Sequence, residues 1–374
     1  MKFSVDRVAF ADAVGWAARS LPVRTPTPVL AGVLLRVDQG ALRVSSFDYE
    51  VSSEAAVEVA ADASGAALVS GRLLAEITRA LPAKPVSVTG TERGLELVCG
   101  SGRFTLPSMP VEDYPVLPEL PPTIGTVPAT DLATAVSRVA LAAGRDDTLP
   151  ILTGVLVEFD GEQITLLATD RYRLGLAELD WRPVRPDARL TALVPARTLA
   201  DAAKAMGGHG GDVTVALTPG EDEGMLGLAG GAYQLTTRLL AGAYPKVRSI
   251  LPTTSVAQLR AATRDLTEVV RRIALVAERT APLRLGLTAD GLLVEAGTRD
   301  QAEASEEMAA VVTGDPLTVS LNPQYLLDGL GAMNAPRVLL SFVGPARPVL
   351  IQPADDDGEI IPGYRYVAMS LRTA

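Results

Sequence analysis

Apolar residues recur at helical spacing in three stretches of the chain, and each stretch is followed by short segments in which apolar and polar residues alternate. A spacing of three or four residues predicts an amphipathic helix with one face on a core, whereas alternation predicts half-buried strands. The helical positions are Phe10, Val14, Ala17 and Leu21, then Leu132, Val136, Val139 and Ala143, and less strictly Leu259, Leu266, Val270 and Ile273.

The segments that follow these helical patterns repeat one another. The stretch "PVLAGVLLRVDQGALRVSSFDYEVSSEA" from Pro28 aligns with "PILTGVLVEFDGEQITLLATDRYRLGLAEL" from Pro150, so that Asp48 and Asp170 lie 122 positions apart. A third, fainter copy begins at Pro282. Self-similarity at such a period indicates that the chain is built from three related units.

Each unit also carries a second predicted helix, in "VSGRLLAEITRAL", "VPARTLADAAKAM" and "LNPQYLLDGLGAM". In the last of these, Asn322 suits the N-cap and Pro323 suits the first turn. The segments "PELPPTIGTVP" and "LPTTS" predict extended connectors, which place domains at 1–121, 122–252 and 253–374. Two helices and about eight short strands per unit predict an α+β fold with the helices packed on antiparallel sheets.

Composition narrows the class of protein. The 374 residues carry a net charge of −10 and a single cysteine, Cys99, so no internal disulfide can form. No apolar run approaches the length of a membrane span, and the first residues show no signal-peptide pattern. We therefore expect a cytoplasmic protein without membrane contact. Only four lysines against abundant Ala, Gly, Val and Arg indicate a GC-rich genome.

A search for catalytic or metal-binding residues gives little. His209 lies in the glycine-rich turn "GGHGGD", and the acidic turn from Asp355 lacks the final glutamate of a calcium loop. Asp170 with Arg173 could act as a functional pair, although a structural ion pair at a strand end is more common. No nucleophile is placed beside a base, so we expect a protein that is not an enzyme and needs no cofactor or metal.

Positive charge recurs at similar places on the predicted helices. If these helices share one side of an assembly, that side is basic inside an otherwise acidic protein and can contact phosphates without reading sequence. The candidate DNA-facing residues are Arg19, Arg24, Arg72, Arg79, Lys84, Arg138, Arg145, Arg197, Lys204, Arg264, Arg271 and Arg272.

The whole chain resembles the bacterial β sliding clamp family, the processivity subunits of the replicative DNA polymerase. The resemblance rests on "MKFSVDR", "PVLAGVLL", "ATDRYRL", "YPKVRSILP" and "YVAMSLR" in this order, together with the three repeats. It implies a homodimeric ring of two chains in which helices line a hole around duplex DNA. It also implies a pocket that holds short peptide motifs of the polymerase, the clamp loader and repair proteins.

Carried over by motif, the resemblance assigns a set of residues to this pocket, with apolar side chains as its floor and Arg173 and the tyrosines as polar edges. The set is Leu152, Thr169, Arg171, Tyr172, Arg173, Leu174, Pro245, Arg248, Ser249, Ile250, Asn322, Tyr325, Ala346, Pro348, Val367, Ala368, Met369, Ser370, Leu371 and Arg372.

Some positions depart from the pattern common among clamps. Arg171 and Tyr172 stand where many clamps have a small residue and His, Ser249 replaces a frequent Arg, and Ser370 replaces a frequent Pro. Such changes fit lineage variation, and they equally fit an accessory or inhibitor-resistant clamp paralogue. The sequence leaves both open.

The resemblance also implies the contact that closes the ring. The edge strand "GRFTL" of one chain would contact a helix and a group of acidic residues of the other chain. Apolar side chains would drive the contact, and the opposite charges would fix how the two surfaces align. The interface candidates are Arg103, Phe104, Leu106, Ile273, Leu275, Asp300, Glu303, Glu306 and Glu307.

Overall fold

The computed structural model describes residues 1–22, 24–220, 224–277, 281–297 and 302–371. Six α-helices occur in these ranges, two in each predicted unit: α1 Arg7–Ala18, α2 Gly71–Ala80, α3 Ala129–Ala140, α4 Ala196–Gly207, α5 Thr263–Ile273 and α6 Pro323–Met333. No helix among the described residues is long and apolar enough to cross a membrane.

Helix boundaries follow local chemistry. Asp6 caps α1 because its carboxylate accepts the backbone N–H groups of Val8 and Ala9, and Asn322 caps α6 in the same way through Gln324 and Tyr325. The predictions for Asn322 and Pro323 are therefore confirmed. Leu21 and Ala143 lie just beyond the helices for which they were predicted, although both are buried.

The prediction for Leu259 is wrong. It lies in a strand, Ala257–Ala262, in which Ala257, Leu259 and Ala261 are buried while the residues between them are half-buried. This period of two is that of a strand, and the segment pairs with strands on both sides. The helix begins only at Thr263, so the apparent helical spacing joined a strand residue to a helix.

Contacts divide the chain into two compact units. Unit 1 comprises 1–133, 181–188 and 197–239, and unit 2 comprises 134–180, 189–196 and 240–374. The middle repeat contributes to both units, and the boundaries of the three predicted domains stay a prediction.

Unit 1 contains a five-stranded sheet in the order β5-β1-β7-β8-β9 and a ten-stranded sheet in the order β10-β6-β2-β3-β4-β19-β18-β17-β11-β15. The strands are β1 Lys2–Val5, β2 Gly32–Asp38, β3 Ala41–Phe47, β4 Val51–Glu58, β5 Ala60–Ala63, β6 Gly65–Ser70, β7 Val86–Thr91, β8 Gly94–Cys99, β9 Gly102–Leu106, β10 Ser108–Met109, β11 Thr123–Pro128, β15 Arg182–Pro183, β17 Asp212–Thr218, β18 Met225–Gly230 and β19 Tyr233–Arg238.

Unit 2 contains a nine-stranded sheet in the order β16-β12-β13-β14-β28-β27-β26-β20-β24 and a four-stranded sheet in the order β23-β22-β21-β25. The strands are β12 Gly154–Asp160, β13 Gln163–Thr169, β14 Arg173–Asp180, β16 Arg189–Pro195, β20 Ala257–Ala262, β21 Leu283–Thr288, β22 Gly291–Gly297, β23 Glu303–Met308, β24 Val311–Gly314, β25 Leu317–Leu321, β26 Arg337–Phe342, β27 Val349–Ala354 and β28 Tyr364–Ala368.

The sequence repeat is also a repeat of geometry. Short 3₁₀ helices at Pro28–Ala31 and Pro150–Thr153 precede β2 and β12, and hairpins follow in both units. In each unit a tyrosine hydroxyl accepts the backbone N–H of the last residue of a strand: Tyr114 from Phe47 at 2.7 Å, and Tyr244 from Thr169 at 2.9 Å. Burial raises the pKa of both tyrosines to about 12. The two hairpins are therefore anchored to their units in the same way.

Candidate peptide-binding site

The turn between β13 and β14 is built by "TDRYR". Asp170 Oδ1 accepts the backbone N–H groups of Tyr172 and Arg173, both at 3.0 Å, and Arg171 adopts a φ of 80°. Thr169 Oγ1 donates to the Arg173 carbonyl at 2.6 Å and accepts the Arg171 N–H at 3.1 Å. These local bonds stabilise the left-handed residue, and the turn leaves the side chains of Arg171 and Tyr172 exposed.

Arg173, the last residue of this run, points inward. Its side chain is only 7% exposed and forms ion pairs with Asp170, at 2.9 Å, and with Asp328 of α6. Its guanidinium lies 4.7 Å from the centroid of the Tyr325 ring. Burial by itself lowers the pKa of Arg173, but Tyr366, the Asp328 hydrogen bond and Asp170 together raise it. The charge of Arg173 is therefore paired inside the unit, and its role as a polar edge for a peptide stays a prediction.

Two aromatic rings lie between the two arginines. The Tyr172 ring, half-exposed, stacks on the Tyr325 ring with 6.3 Å between centroids and 22° between planes. The Arg171 guanidinium carbon lies 5.8 Å from the centroid of the Tyr172 ring. The turn is thus joined to the first turns of α6 by aromatic and cation–π contacts.

These residues line a cavity of about 660 Å³ within unit 2. Of the predicted pocket residues, it includes Leu152, Arg171, Tyr172, Arg173 and Tyr325. Arg145, predicted to face DNA, also lines it. The lining that the sequence interpretation did not include is Ala143, Gly144, Asp146, Leu149, Asp170, Gln324 and Asp328.

The loop after α3 forms the wall that was missed. The Gly144 N–H donates to the Leu152 carbonyl at 2.7 Å, which holds the loop against the start of the hairpin. The Asp146 carboxylate accepts the N–H and hydroxyl of Thr148, which together with the nearby Arg171 lower its pKa. The helical spacing ends before this loop, so the only signal in the sequence was its short distance from Pro150.

Beside the cavity, unit 2 has an apolar cluster formed by the β13–β14 hairpin, β27, β28 and the segment after Tyr244. Leu174 and Val367 are neighbours in register across β14 and β28, and Ile250 packs against the cluster. The chain after β28 runs along the turn, because the Met369 N–H donates to the Tyr172 carbonyl at 2.8 Å. The buried members are Leu167, Leu174, Leu176, Val247, Leu350 and Val367.

The remaining predicted residues vary in exposure. Pro245, Arg248, Ser249 and Ala346 are exposed, Thr169 and Ala368 are buried, and Pro348, Asn322, Met369, Ser370 and Leu371 are half-buried. Arg248 forms an ion pair with Glu158, and the buried Ser370 Oγ has no hydrogen-bond partner in the described part of the chain. Arg372 lies outside the described residues. Whether this set binds a peptide stays a prediction.

Models of the DNA polymerase III beta subunit match in order: its N-terminal domain at residues 1–118, its central domain at 126–246 and its C-terminal domain at 248–362. The chain belongs to the DNA polymerase III beta subunit family. The resemblance drawn from the sequence is confirmed, as is the α+β class with helices on antiparallel sheets.

Individual relatives of this beta subunit family span the full chain. It is 48% identical over 377 residues to the beta sliding clamp of Streptomyces coelicolor, covering all of this chain and 99% of that protein. It is 38% identical over 374 residues, with the same coverage, to the "beta sliding clamp homolog GriR" of Streptomyces muensis. These relatives agree with a GC-rich, actinobacterial source.

Solved clamps of the beta subunit family have the same fold. A Pseudomonas aeruginosa sliding clamp bound to griselimycin matches with a TM-score of 0.89 at 27% identity, with both chains fully covered. A Bacillus subtilis clamp matches with a TM-score of 0.89 at 22% identity and full coverage, which supports the fold alone.

The candidate DNA-facing residues of this beta subunit differ in how free their charge is. Arg138 is half-buried: it donates to the Met333 carbonyl at 3.1 Å and lies 5.3 Å from the centroid of the Tyr364 ring. Burial lowers its pKa. Arg264 pairs with Glu268, Arg272 with Glu306, and Arg72 donates to the Pro22 carbonyl. Arg138 therefore has contacts within its own unit, and its contact with DNA stays a prediction.

Seven other candidates are exposed and form no ion pair within 4.0 Å in the described part of the chain: Arg24, Arg79, Lys84, Arg145, Arg197, Lys204 and Arg271. Arg19 is also exposed, and its guanidinium lies 5.9 Å from the centroid of the Trp16 ring. Their charge remains available to an anionic partner, and their contact with DNA stays a prediction.

The ring-closing candidates divide by burial. Leu106 is 1% exposed and Ile273 is 4% exposed, so both are used in the cores of their own units and offer no surface in this structure. Phe104 is 38% exposed on the edge strand β9, and Leu275 is 83% exposed just after α5. Arg103 pairs with Glu96 on the neighbouring strand.

The acidic candidates lie on the edge strand β23. Glu303 and Glu307 are exposed, and Glu306 is the partner of Arg272, with 2.6 Å between Oε1 and an Nη atom. Arg272, which was predicted to face DNA, thus neutralises Glu306, which was predicted for the ring contact. Asp300 lies outside the described residues.

Proposed function

We propose that this protein is a sliding clamp that encircles duplex DNA as a ring of two chains and tethers the replicative polymerase for processive synthesis. The observation that carries the proposal is the match of all three beta subunit domains, supported by 48% identity to a beta sliding clamp along the whole chain. The clamp acts in the cytoplasm. It needs no catalytic step, because a closed ring stays on DNA by topology.

The geometry of unit 2 supports a docking role over the enzyme hypothesis. Asp170 and Arg173, the pair considered for catalysis, are bonded to each other, and Arg173 also binds Asp328. The described residues contain no group of His, Cys, Asp and Glu side chains suited to a metal ion. What unit 2 offers is a cavity beside an apolar cluster, which suits a short peptide with apolar anchors.

In this mechanism the partner contributes the chemistry and the clamp contributes position. Apolar residues of a partner's short motif would pack against the half-buried Ile250 and Met369, beside the buried cluster, and its polar atoms would meet Tyr172 and Arg171. One buried apolar anchor contributes on the order of 1.5–3 kcal/mol before ordering costs. A single motif should therefore bind at about micromolar affinity and gain by presentation on a ring with two pockets.

The first test uses the exposed helix arginines. Changing Arg79, Arg197 and Arg271 together to Glu should abolish most processive synthesis on a primed circular template, because like charges then face the phosphates. The matched control changes Arg93, Arg185 and Arg347, three exposed arginines off the helices, to Glu. The control should support synthesis as the wild type does. Equal synthesis by the helix variant would remove the basic lining from the proposal.

The second test uses the chain segment beside the turn. Met369→Ala should weaken binding of a five-residue clamp-binding peptide by about tenfold, since it removes part of an apolar anchor site. Isothermal calorimetry measures this, and urea unfolding checks that stability is retained. Met225→Ala, at another half-buried methionine, is the control. Unchanged peptide affinity in Met369→Ala would move the binding site elsewhere.

The alternative candidate is an accessory or inhibitor-resistant clamp paralogue. Two observations favour keeping it: the 38% identity to the clamp homolog GriR over the whole chain, and the four pocket departures at Arg171, Tyr172, Ser249 and Ser370.

Griselimycin, bound to the Pseudomonas aeruginosa clamp, separates the two candidates. A housekeeping clamp should bind it in competition with the peptide. A resistant paralogue should bind the peptide but not griselimycin, and Tyr172→His with Ser370→Pro should then restore binding.

A further inference from the structure

Unit 1 contains a second cavity, of about 220 Å³, that repeats the construction of the cavity in unit 2. It lies beside the end of α1, the β3–β4 turn and the first turns of α4, as the larger cavity lies beside the end of α3, the β13–β14 turn and the first turns of α6. Its lining includes Asp48, Val51 and Asp201, with Trp16 buried at one side and Arg19 and Arg197 at the rim.

Positions correspond between the two cavities. Asp48 and Val51 stand 122 residues before Asp170 and Arg173. Asp201 stands 127 residues before Asp328, which is also the distance between the first residues of α4 and α6. The turns agree in detail: Asp48 Oδ1 accepts the N–H groups of Glu50 at 3.0 Å and Val51 at 2.8 Å, and Tyr49 has a φ of 76°.

One substitution changes the chemistry. In unit 2, the guanidinium of Arg173 lies between the carboxylates of Asp170 and Asp328. In unit 1, both carboxylates are retained as Asp48 and Asp201, but the cation is replaced by the short side chain of Val51. Neither Asp48 nor Asp201 has an ion pair within 4.0 Å in the described part of the chain. The volume that the guanidinium occupies in unit 2 is thus part of the cavity in unit 1, and the two carboxylates there have no cation between them.

The rim arginines do not fill this space. Arg19 lies over the Trp16 ring and donates to the backbone carbonyl of Asp201 at 3.4 Å, not to its carboxylate. Arg197 is exposed. The charges of Arg19 and Arg197 balance those of Asp48 and Asp201, so the lining has no net charge. A cation attracted only by net charge would therefore gain little binding energy. A planar guanidinium, which can bond to two carboxylates in a fixed geometry, gains more than an ammonium.

We propose that the unit 1 cavity binds an arginine side chain presented by a partner protein, between Asp48 and Asp201. The volume of about 220 Å³, against about 660 Å³ in unit 2, suits one long side chain and not a peptide motif. The site is distinct from the candidate peptide pocket. It rests on the internal repeat and not on the proposed clamp function, so it can fail or hold independently.

The test follows the two tryptophans by NMR. The full chain contains only Trp16 and Trp181, and of these only Trp16 lines the cavity, with its Nε1–H donating to the carbonyls of Glu54 and Gln234. N-acetyl-arginine methylamide, titrated into the indole-labelled protein, should shift the Trp16 signal with a dissociation constant on the order of 1 mM and leave Trp181 in place. An unshifted Trp16 signal would overturn the proposal. An equal response to the lysine analogue or to spermidine would overturn the assignment to arginine.

Three variants locate the site. Val51→Arg should place the protein's own guanidinium between the two aspartates, as Arg173 does in unit 2, and should abolish the shift. Asp48→Asn and Asp201→Asn should each weaken binding by about tenfold. Val184→Arg and Asp187→Asn, at exposed positions, are the controls. Binding that survives all three cavity variants would overturn the proposal, and the aspartate variants keep this test available if Val51→Arg fails to fold.

Discussion

Replacing Arg173 with Met should lower the free energy of unfolding by about 3 kcal/mol, because the change leaves two carboxylates in a half-buried site without their cation. Arg173 is the sole residue that bonds to both Asp170 in the β13–β14 turn and Asp328 in α6, among the ion pairs of the described residues. Methionine keeps much of the stem volume, so the loss reports mainly the missing charge. Urea unfolding at a fixed chain concentration measures it.

The matched control is Arg264→Met. Arg264 is also paired with one carboxylate, Glu268, but that pair lies on the exposed surface of α5. Exposed pairs contribute little to stability, so this variant should unfold close to the wild type. If Arg173→Met were as stable as Arg264→Met, the two carboxylates would have to be solvated or protonated without cost, and the argument from burial would fail.

A second comparison separates charge from packing. Adding Asp170→Asn and Asp328→Asn to Arg173→Met removes the unpaired carboxylates, and stability should partly recover. The Tyr325 ring, which lies against the Arg173 guanidinium, should then still pack on Tyr172. Asparagine can accept the same backbone N–H groups as Asp170, so stability that falls further in the triple variant would contradict the argument from unpaired carboxylates.

Much of the fold was predictable because repetition and local chemistry act over short distances. The offset of 122 residues between Asp48 and Asp170 reappears as two turns with the same capping bonds. Asn322 caps α6 because a side-chain amide oxygen reaches N–H groups two and three residues ahead. In the polar run "TDRYR", the backbone N–H groups of Arg171, Tyr172 and Arg173 likewise all bond to side chains within the same five residues.

What the sequence did not reveal depends on tertiary contacts. Leu106 and Ile273 look like any apolar residue of an edge strand or helix, and only the folded packing shows that both are buried. The loop of Gly144 to Leu149 becomes a cavity wall because it folds back on Leu152, a contact with no signature in spacing. The role of Arg173 was undecided for the same reason: Asp328, its second partner, lies 155 residues away.

Phe104→Asp combined with Leu275→Asp should convert the dimeric ring proposed here into monomers and abolish processive synthesis. Both side chains are exposed in the chain, at 38% and 83%, so the change should spare folding. In a ring each would be buried against the other chain, and each aspartate would then lose apolar contact and be buried without a partner. The dimer dissociation constant should rise by at least about a thousandfold, as measured by sedimentation.

The control and the charge-swap test both use exposed residues. Val116→Asp with Val184→Asp places the same charges at two exposed apolar positions away from β9 and β23, and the dimer should persist.

Arg103→Glu should weaken the ring by repulsion from the acidic edge of β23, where Glu303 and Glu307 are exposed. A chain with Arg103→Glu should pair again with a chain carrying Glu303→Arg and Glu307→Arg, since opposite charges then face each other at both contacts, reversed at one and as in the wild type at the other. A wild-type chain that sediments as a monomer at micromolar concentration would contradict the ring, and failure of the charge-swapped pair alone would place the register of the contact elsewhere along these two edges.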